Sequence, residues 1–479
     1  MSRFIFLLYA LLLSPVVALA AEEHHGDVSA PIFEAFGIVL IAALLGRFVA
    51  NKLKLSTVLG ELVIGILLGT VLVMMDRPVV HVVRHLELIQ HVVATVEEEG
   101  KTLAEATSHV LSDPALPDAD RAALSDLMGS GHAASWINLA RSIQLFSTIG
   151  ISLLLFMVGL EGSIQDLFKV GVRALVVAAV GVVATLGLGF LSLKLLLANA
   201  DPRLAFFGAA TVGSTSAGIT ARVLKDLGKL ETSEAKVTMG AAVFDDIIGL
   251  ILLAVLANIM VTGGAGSTSV SVILIRIAAF LAGVLLFGLW VLPRIIPYLE
   301  KLDLKSARLL LPFILMLMLC YLADMMGLAM IIGAYFAGLM ITDEMFKSEM
   351  KEKITIISLV SPLEGVFVPV FFVLMGMQVD ITLFTDVNVV LTGLLLSAAA
   401  IGGKLLAGIF LPSSFSKMAV GWGMVPRGEV VLIFANIGKS IGIIDAKFYT
   451  ATVIVILITV LVSPIALTKA YKSIQSTPA

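Results

Sequence analysis

Residues 240–259 read GAAVFDDIIGLILLAVLANI, an apolar run long enough to cross a bilayer, with two carboxylates, Asp245 and Asp246, inside it. A charged side chain at the centre of a membrane helix costs about 2.5–3.5 kcal/mol on insertion scales, so both need a partner or a function. Neighbouring residues point about 100° apart on a helix, so one carboxylate can contact a cationic side chain while the other faces a water-filled cavity. The alternative is that both are paired and inert, or lie at the membrane edge. Ionisable residues inside a membrane are functional by default, which favours an ion site.

The composition extends this interpretation to the whole chain. Of the 479 residues, 59% are hydrophobic and 14% are charged, whereas a soluble domain has about 25% charged residues, so lipid is the expected solvent. With a single cysteine, Cys320, an intrachain disulfide is excluded, and no basic block indicates a nucleic-acid partner. The sequence contains no Walker motif, metal triad or nucleophile constellation. We therefore expect no enzyme activity, no cofactor and no ATP-driven step.

Residues 1–20 are predicted to be a signal peptide, because Arg3 precedes an apolar core and Ala18-Leu19-Ala20 forms a small-residue cleavage site. A short first transmembrane helix is the alternative. The predicted segments that follow are an extracytoplasmic tail at 21–32, two transmembrane helices in 33–75, an extracytoplasmic helical insertion at 76–142, a transmembrane transport body at 143–468 and a cytoplasmic tail at 469–479. This arrangement indicates a bacterial inner-membrane protein.

Thirteen apolar stretches have the length of a membrane span. They cover residues 33–50, 57–75, 143–161, 172–199, 203–222, 236–262, 270–292, 307–325, 327–342, 358–379, 386–411, 418–437 and 448–468. Lysine and arginine are concentrated in alternate connecting segments, and the positive-inside rule then places the N-terminus outside and the C-terminus in the cytoplasm. The sequence predicts an all-α membrane protein with about 13 transmembrane helices.

The insertion at 76–142 contains five histidines and an acidic run at residues 97–99. A metal-binding or pH-sensing role is one interpretation. The histidine spacing matches no ligand motif, so surface helices that cap the outer face are favoured.

Two of the predicted spans are interrupted. Residues 211–218, TVGSTSAG, and residues 421–428, GWGMVPRG, place small, polar and proline residues where a continuous helix would be expected. Seven spans separate the two segments, so they should run in opposite directions as parts of inverted repeats. Two broken helices in inverted halves indicate the binding site of a transporter. Thr215 and Ser216, with freed carbonyls nearby, are suitable oxygen ligands for a small cation, although helix packing also explains small residues.

Three further charged residues lie in apolar spans. Lys404, in LSAAAIGGKLLAGIFL at 396–411, needs a carboxylate partner, for which Asp245 and Asp246 are both candidates. The alternative is that the Lys404 side chain extends toward the inner membrane–water interface. Arg427 and Glu429 lie in the second broken helix, where they could neutralise each other or compensate the exposed helix ends. A scaffold role is favoured over direct ion contact, because two flanking charges of opposite sign usually satisfy each other.

Several motifs together resemble a known family. They are VLGELVIGILLG at 58–69, TIGISLLLFMVGLE at 148–161, STSAGITARVLKDLG at 214–228, GAAVFDDIIGLILLAVL at 240–256, FVPVFFVLMGMQVD at 367–380, GGKLLAG at 402–408 and GMVPRGEVVLIFA at 423–435. The order of these motifs is similar to that in the monovalent cation:proton antiporter superfamily. The adjacent aspartates Asp245 and Asp246, together with Lys404, resemble the pattern of its electrogenic bacterial Na⁺/H⁺ branch. Thr70, where the family commonly has proline, and the long 76–142 insertion depart from the family pattern.

The resemblance implies a thirteen-span fold of inverted repeats with two broken crossing helices, a dimerisation domain, a six-helix core domain and a homodimer in membrane lipid. It implies that Asp246 binds the cation or protons and that Asp245 pairs with Lys404 in one state. It also implies that Thr215 lies beside the ion, and that Arg427 and Glu429 form a structural charged pair. The transported ions would be Na⁺ and H⁺, with K⁺/H⁺ antiport as an alternative, and a cation channel or sensor as a more distant one.

The expected mechanism is competition at Asp246. Desolvation favours the uncharged carboxyl, so protonation and Na⁺ binding exclude each other. Alternating access would expose this site to each side in turn. An exchange of two protons for one Na⁺ is what the resemblance implies.

Overall fold

The computed structural model describes residues 30–53, 57–75, 77–112, 118–129, 131–161, 164–196, 202–230, 232–261, 270–302, 304–342, 345 and 355–475. Over these residues the regular structure is helical and no strand occurs. The predicted signal peptide at 1–20, most of the predicted tail at 21–32 and residues 476–479 lie outside the described part.

The helices are numbered here in chain order. They are α1 (Ala30–Leu53), α2 (Thr57–Met74), α3 (Pro78–Arg84), α4 (Leu86–Glu99), α5 (Leu103–Leu111), α6 (Asp118–Gly129), α7 (Ala133–Glu161), α8 (Ile164–Leu196), α9 (Pro202–Thr211), α10 (Ala217–Asp226), α11 (Ser233–Val261), α12 (Val270–Leu286), α13 (Leu292–Leu302), α14 (Leu304–Met325), α15 (Met330–Met340), α16 (Ile356–Met377), α17 (Val387–Ile409), α18 (Lys417–Gly423), α19 (Glu429–Ser440) and α20 (Ala446–Gln475). A π-helical turn, Phe287–Val291, joins α12 to α13.

Nine continuous helices in the described residues are long and apolar enough to cross a membrane, and each coincides with one predicted span. The predicted spans 203–222 and 418–437 are interrupted, as α9 with α10 and as α18 with α19. The predicted spans 307–325 and 327–342 correspond to the shorter apolar helices α14 and α15. Large apolar side chains such as Leu44 and Trp290 are 69% and 65% exposed, a surface suited to lipid contact.

Among the described residues, one compact unit lies within Met1–Gly150 and Val366–Gln378. The predicted insertion supplies helices α3 to α6, and their apolar faces enter the core of this unit, where Val80, Ile89 and Leu124 are buried in one cluster with Val373 and Met377 of α16. The insertion helices therefore pack into a hydrophobic core as well as presenting a surface. Within the described residues, no group of three or more side chains is arranged to hold a metal ion.

The helices α1 and α2 of this unit pack closely and are joined by a partly buried ion pair. A Cβ added to Gly46 would lie 2.9 Å from the backbone nitrogen of Glu61, so only glycine allows this approach. Glu61 is 1% exposed and pairs with Arg47. A carboxylate in an apolar helix is thereby neutralised by the neighbouring helix.

The second compact unit consists of Ile151–Gly365 and Val379–Ala479. In it, α8 packs against both α11 and α17, and α17 also packs against α20. The core cluster that α8, α11 and α17 share includes several alanines, among them the buried Ala174, Ala178, Ala241 and Ala407. Small residues let helix backbones approach closely, which brings the charged residues of α11 and α17 within contact distance.

Candidate functional site

The second unit contains two interrupted helices. Residues 212–216, between α9 and α10, are not helical, and neither are residues 424–428, between α18 and α19. Gly213 destabilises a helix entropically, and the hydroxyl residues at 214–216 can hydrogen-bond backbone groups in non-helical conformations. Pro426 has no backbone N–H to donate. The sequence prediction of two broken helices is confirmed.

The two unwound segments are hydrogen-bonded to each other. Backbone groups that an interrupted helix leaves unbonded inside an apolar protein need other hydrogen-bond partners, and each segment provides them for the other. The bonds run from the Ser216 N–H to the Pro426 carbonyl (2.8 Å), from the Thr215 hydroxyl to the Met424 carbonyl (2.8 Å) and from the Thr220 hydroxyl of α10 to the Gly423 carbonyl (2.7 Å).

The buried Arg427 side chain links the two breaks through hydrogen bonds. It is 0% exposed, and its guanidinium donates hydrogen bonds to carbonyls of both breaks and of α17. The acceptors are the carbonyls of Val212 (2.8 Å), Val425 (2.9 Å), Met424 (3.0 Å) and Ala400 (3.2 Å). Carbonyls at helix C-termini carry partial negative charge, which the guanidinium compensates. This geometry supports the scaffold interpretation. The side chain of Glu429, the first residue of α19, lies outside the described part, so its pairing with Arg427 stays a prediction.

We expect Arg427→Lys to destabilise the protein although it keeps the charge. A lysine ammonium is a single point of donation and cannot reproduce the planar fork that reaches several carbonyls. Each buried carbonyl left without a donor costs about 1–3 kcal/mol. The melting temperature of the purified protein in detergent should fall clearly below that of wild type. The exposed Arg203, changed to lysine in the same way, is the control, and an equal loss for both variants would contradict the scaffold role.

Asp245 of α11 and Lys404 of α17 form a fully buried ion pair. The Asp245 carboxylate also accepts a hydrogen bond from the Thr215 N–H (2.7 Å), which ties α11 to the first break. Gly181 of α8 makes room for the lysine, since a Cβ there would lie 3.0 Å from the Lys404 Cδ. Lys404 is 0% exposed and therefore does not extend toward an interface in this structure. The residue pattern left both aspartates as candidate partners, and the structure places Asp245 against the lysine.

Asp246 occupies the adjacent position of α11 and is 4% exposed. Its side chain interacts electrostatically with Lys404 and with the buried Tyr335 of α15. The two carboxylates thus lie within one buried site but have different surroundings, as the rotation of about 100° between neighbouring helical residues requires.

Three hydroxyl residues of the site were not identified from the sequence. The Thr220 hydroxyl donates to the second break, Thr459 of α20 accepts the backbone N–H of Arg427 (3.2 Å), and the buried Tyr335 interacts electrostatically with Asp246. The signal for each was a hydroxyl side chain within a predicted span. That signal is not specific, because such hydroxyls also bond their own helix, as Thr459 does to the Val455 carbonyl (2.8 Å).

Ionisable groups buried where two broken helices meet, inside a protein with many membrane-spanning helices, define the class of ion-coupled secondary transporters. Residues 39–471 match the family described as sodium/hydrogen exchanger, transmembrane. The chain belongs to this family, whose members are transporters and not enzymes.

Individual proteins agree with the family match. The chain is 31% identical to the high-affinity Na⁺/H⁺ antiporter NhaS3 of Synechocystis sp. over 466 residues, covering 94% of this chain and 92% of the relative. It is 32% identical to the Na⁺/H⁺-K⁺ antiporter GerN of Bacillus cereus over 334 residues, covering 69% and 83%. The solved structure of the sodium proton antiporter MjNhaP1 of Methanocaldococcus jannaschii matches with a TM-score of 0.60 at 16% identity, covering 93% of this chain and 99% of that one. The predicted fold class and family are confirmed.

Proposed function

We propose that the protein is a Na⁺/H⁺ antiporter that exchanges cytoplasmic Na⁺, and also Li⁺, for external protons. Its family and the names of its relatives support cation/proton antiport. We further propose that it lies in a bacterial inner membrane with the N-terminus outside and the C-terminus in the cytoplasm, as the distribution of lysine and arginine indicates.

One observation carries the proposal: two adjacent carboxylates, Asp245 and Asp246, are buried where the breaks of two helices meet. Asp245 is paired with Lys404 and accepts the Thr215 N–H, whereas Asp246 is turned about 100° away on the same helix. Two buried carboxylates with different surroundings are what a site needs at which a proton and a cation compete.

Asp246 is the proposed cation ligand, with oxygen atoms of the first break completing the site. The Thr215 hydroxyl donates its proton to the Met424 carbonyl and accepts a hydrogen bond from the Arg427 guanidinium (3.5 Å), which leaves one lone pair that can face a small cation. Ser216, 1% exposed, and the carbonyls of the breaks are further hard oxygen ligands. Binding of Na⁺ displaces a proton, and exposure of the site to each side in turn completes the cycle.

The proposed exchange is electrogenic because the Asp245–Lys404 pair also releases a proton when Na⁺ binds. The site contains two carboxylates, Asp245 and Asp246, and two cations, Lys404 and Arg427. Entry of Na⁺ brings an additional positive charge into a poorly solvated region, which favours release of a proton from Lys404 as well as from Asp246. The resulting stoichiometry, two protons for one Na⁺, rests on the family resemblance, as does the proposed homodimer.

The test is transport by the purified protein in proteoliposomes that contain a pH-sensitive dye. With a clamped membrane potential, Na⁺ and Li⁺ pulses should move protons and K⁺ pulses should not. Acidification should raise the half-saturating Na⁺ concentration, because proton and cation compete, and the rate should depend on the clamped potential if exchange is electrogenic. Equal proton movement with K⁺ would favour K⁺/H⁺ antiport, which the name of the GerN relative makes the second candidate. Cation flux without proton movement would contradict antiport.

A further inference from the structure

A groove of about 510 Å³ lies between α18 and the C-terminal part of α20, within the second unit and away from the aspartates. Its walls are almost entirely apolar, and its polar lining residues are Lys469 and Ser473 at one end. The apolar lining residues are Met418, Trp422, Val462, Ile465, Ala466 and Ala470.

The lining of the groove changes from apolar to polar along α20. Val462, Ile465, Ala466 and Lys469 follow each other at spacings of three, one and three residues, which places them on one face of α20. At about 1.5 Å per residue, this face runs about 10 Å from its apolar end to the lysine. The shape therefore suits a molecule with a long apolar part and a polar end.

The polar end is positively charged. Lys469 is exposed, and so are Lys417 and Lys472, which directly neighbour the lining residues Met418 and Ser473 in the chain. A carboxylate in this region, Glu234, accepts a hydrogen bond from the Ser416 N–H (3.2 Å). The charge at this end complements an anion.

We propose that the groove binds one anionic phospholipid, with an acyl chain along α20 and its phosphate at Lys469. The three lysines belong to the ends that the positive-inside rule assigns to the cytoplasmic face, where anionic headgroups attract basic side chains near membrane helices. Trp422 lies in the groove wall, and tryptophan is enriched at the depth of lipid headgroups.

The bound lipid would act on the transport site through α18. Ala419 and Trp422 of α18 pack with Leu467 and Ala470 of α20 beside the groove. Directly after α18 comes Met424, whose carbonyl accepts the Thr215 hydroxyl. A lipid that holds α18 against α20 therefore stabilises the second break. This inference does not depend on which cation is transported.

Lipid binding is measured by native mass spectrometry of delipidated protein titrated with phosphatidylglycerol, and with phosphatidylcholine of the same acyl chains. Wild type should retain phosphatidylglycerol preferentially and gain thermal stability from it. One lysine near a lipid surface contributes enough attraction that Lys469→Gln should weaken binding roughly five-fold. Ala466→Phe should fill the groove and reduce binding of both lipids, whereas inorganic phosphate should not stabilise the wild type.

The matched control is Lys52→Gln, which removes an exposed lysine from the end of α1, outside the second unit. It should bind phosphatidylglycerol as wild type does. Equal loss in Lys52→Gln and Lys469→Gln would show a general surface-charge effect and overturn the proposal, as would equal affinity for the two lipids. These binding measurements stand even if the protein transports no Na⁺, so the two proposals can fail separately.

Discussion

Asp246→Asn should abolish cation-coupled proton movement in proteoliposomes while leaving the protein folded. Asparagine has nearly the same shape but neither binds a proton at the relevant pH nor carries a charge. A unit charge about 4 Å from a bound cation contributes about 4 kcal/mol at an effective dielectric constant of 20, which corresponds to roughly 1000-fold in affinity. The Na⁺-driven signal should fall to the level of liposomes without protein.

The control for this variant is Asp324→Asn, because Asp324 is an exposed carboxylate of α14 in the same unit. It should transport at the wild-type rate. Equal melting temperatures for the two variants would separate loss of the ion site from loss of folding. Persistent Na⁺/H⁺ exchange by Asp246→Asn would remove Asp246 from the mechanism.

Lys404→Met should produce the second large effect, on stability. It leaves Asp245 as a buried carboxylate without its ion-pair partner, and removing one member of a buried pair costs about 3–5 kcal/mol. The double variant Asp245→Asn with Lys404→Met should recover most of this loss. Asparagine keeps an oxygen that can accept the Thr215 N–H, and no isolated charge remains. Thermal unfolding of wild type, both single variants and the double variant in one detergent gives the double-mutant cycle.

A surface ion pair, Lys447 with Asp386, is the matched control for this double-mutant cycle. Lys447 pairs with Asp386 at 3.2 Å, but its side chain is 61% exposed. Exposed pairs contribute about 0–1 kcal/mol, so Lys447→Met should change the melting temperature little. If Lys404→Met were as mild as Lys447→Met, or if the double variant were as unstable as the sum of its parts, the buried pair would not be coupled as the geometry indicates.

The charged residues of the site could be found from the sequence because each stands out in an apolar stretch. Asp245, Asp246 and Lys404 have flanks that only a membrane span explains, and the breaks at 211–218 and 421–428 contain residues that disfavour a helix. Helices also occur at the four other predicted spans, as α9 with α10, α14, α15, and α18 with α19, and their crossing of the membrane stays a prediction.

The partners of these charges could not be found in this way. From the residues, Lys404 could have paired with either aspartate, and only the packing of α8, α11 and α17 turns Asp245 toward it. From the residues, Arg427 could neutralise Glu429 or compensate exposed helix ends, and only the structure shows that its guanidinium reaches carbonyls of three separate segments. Local sequence contains no information on which distant carbonyls a break leaves free.

Composition and the positions of isolated charges alone establish that this chain spans a membrane many times and keeps ionisable groups within it, because lipid admits so few polar residues that each one is conspicuous. Which carboxylate meets the lysine, and which carbonyls meet the arginine, was decided only by tertiary packing. The reason is geometric: a difference of one residue turns a side chain about 100° around the helix, and only neighbouring helices determine what it then faces.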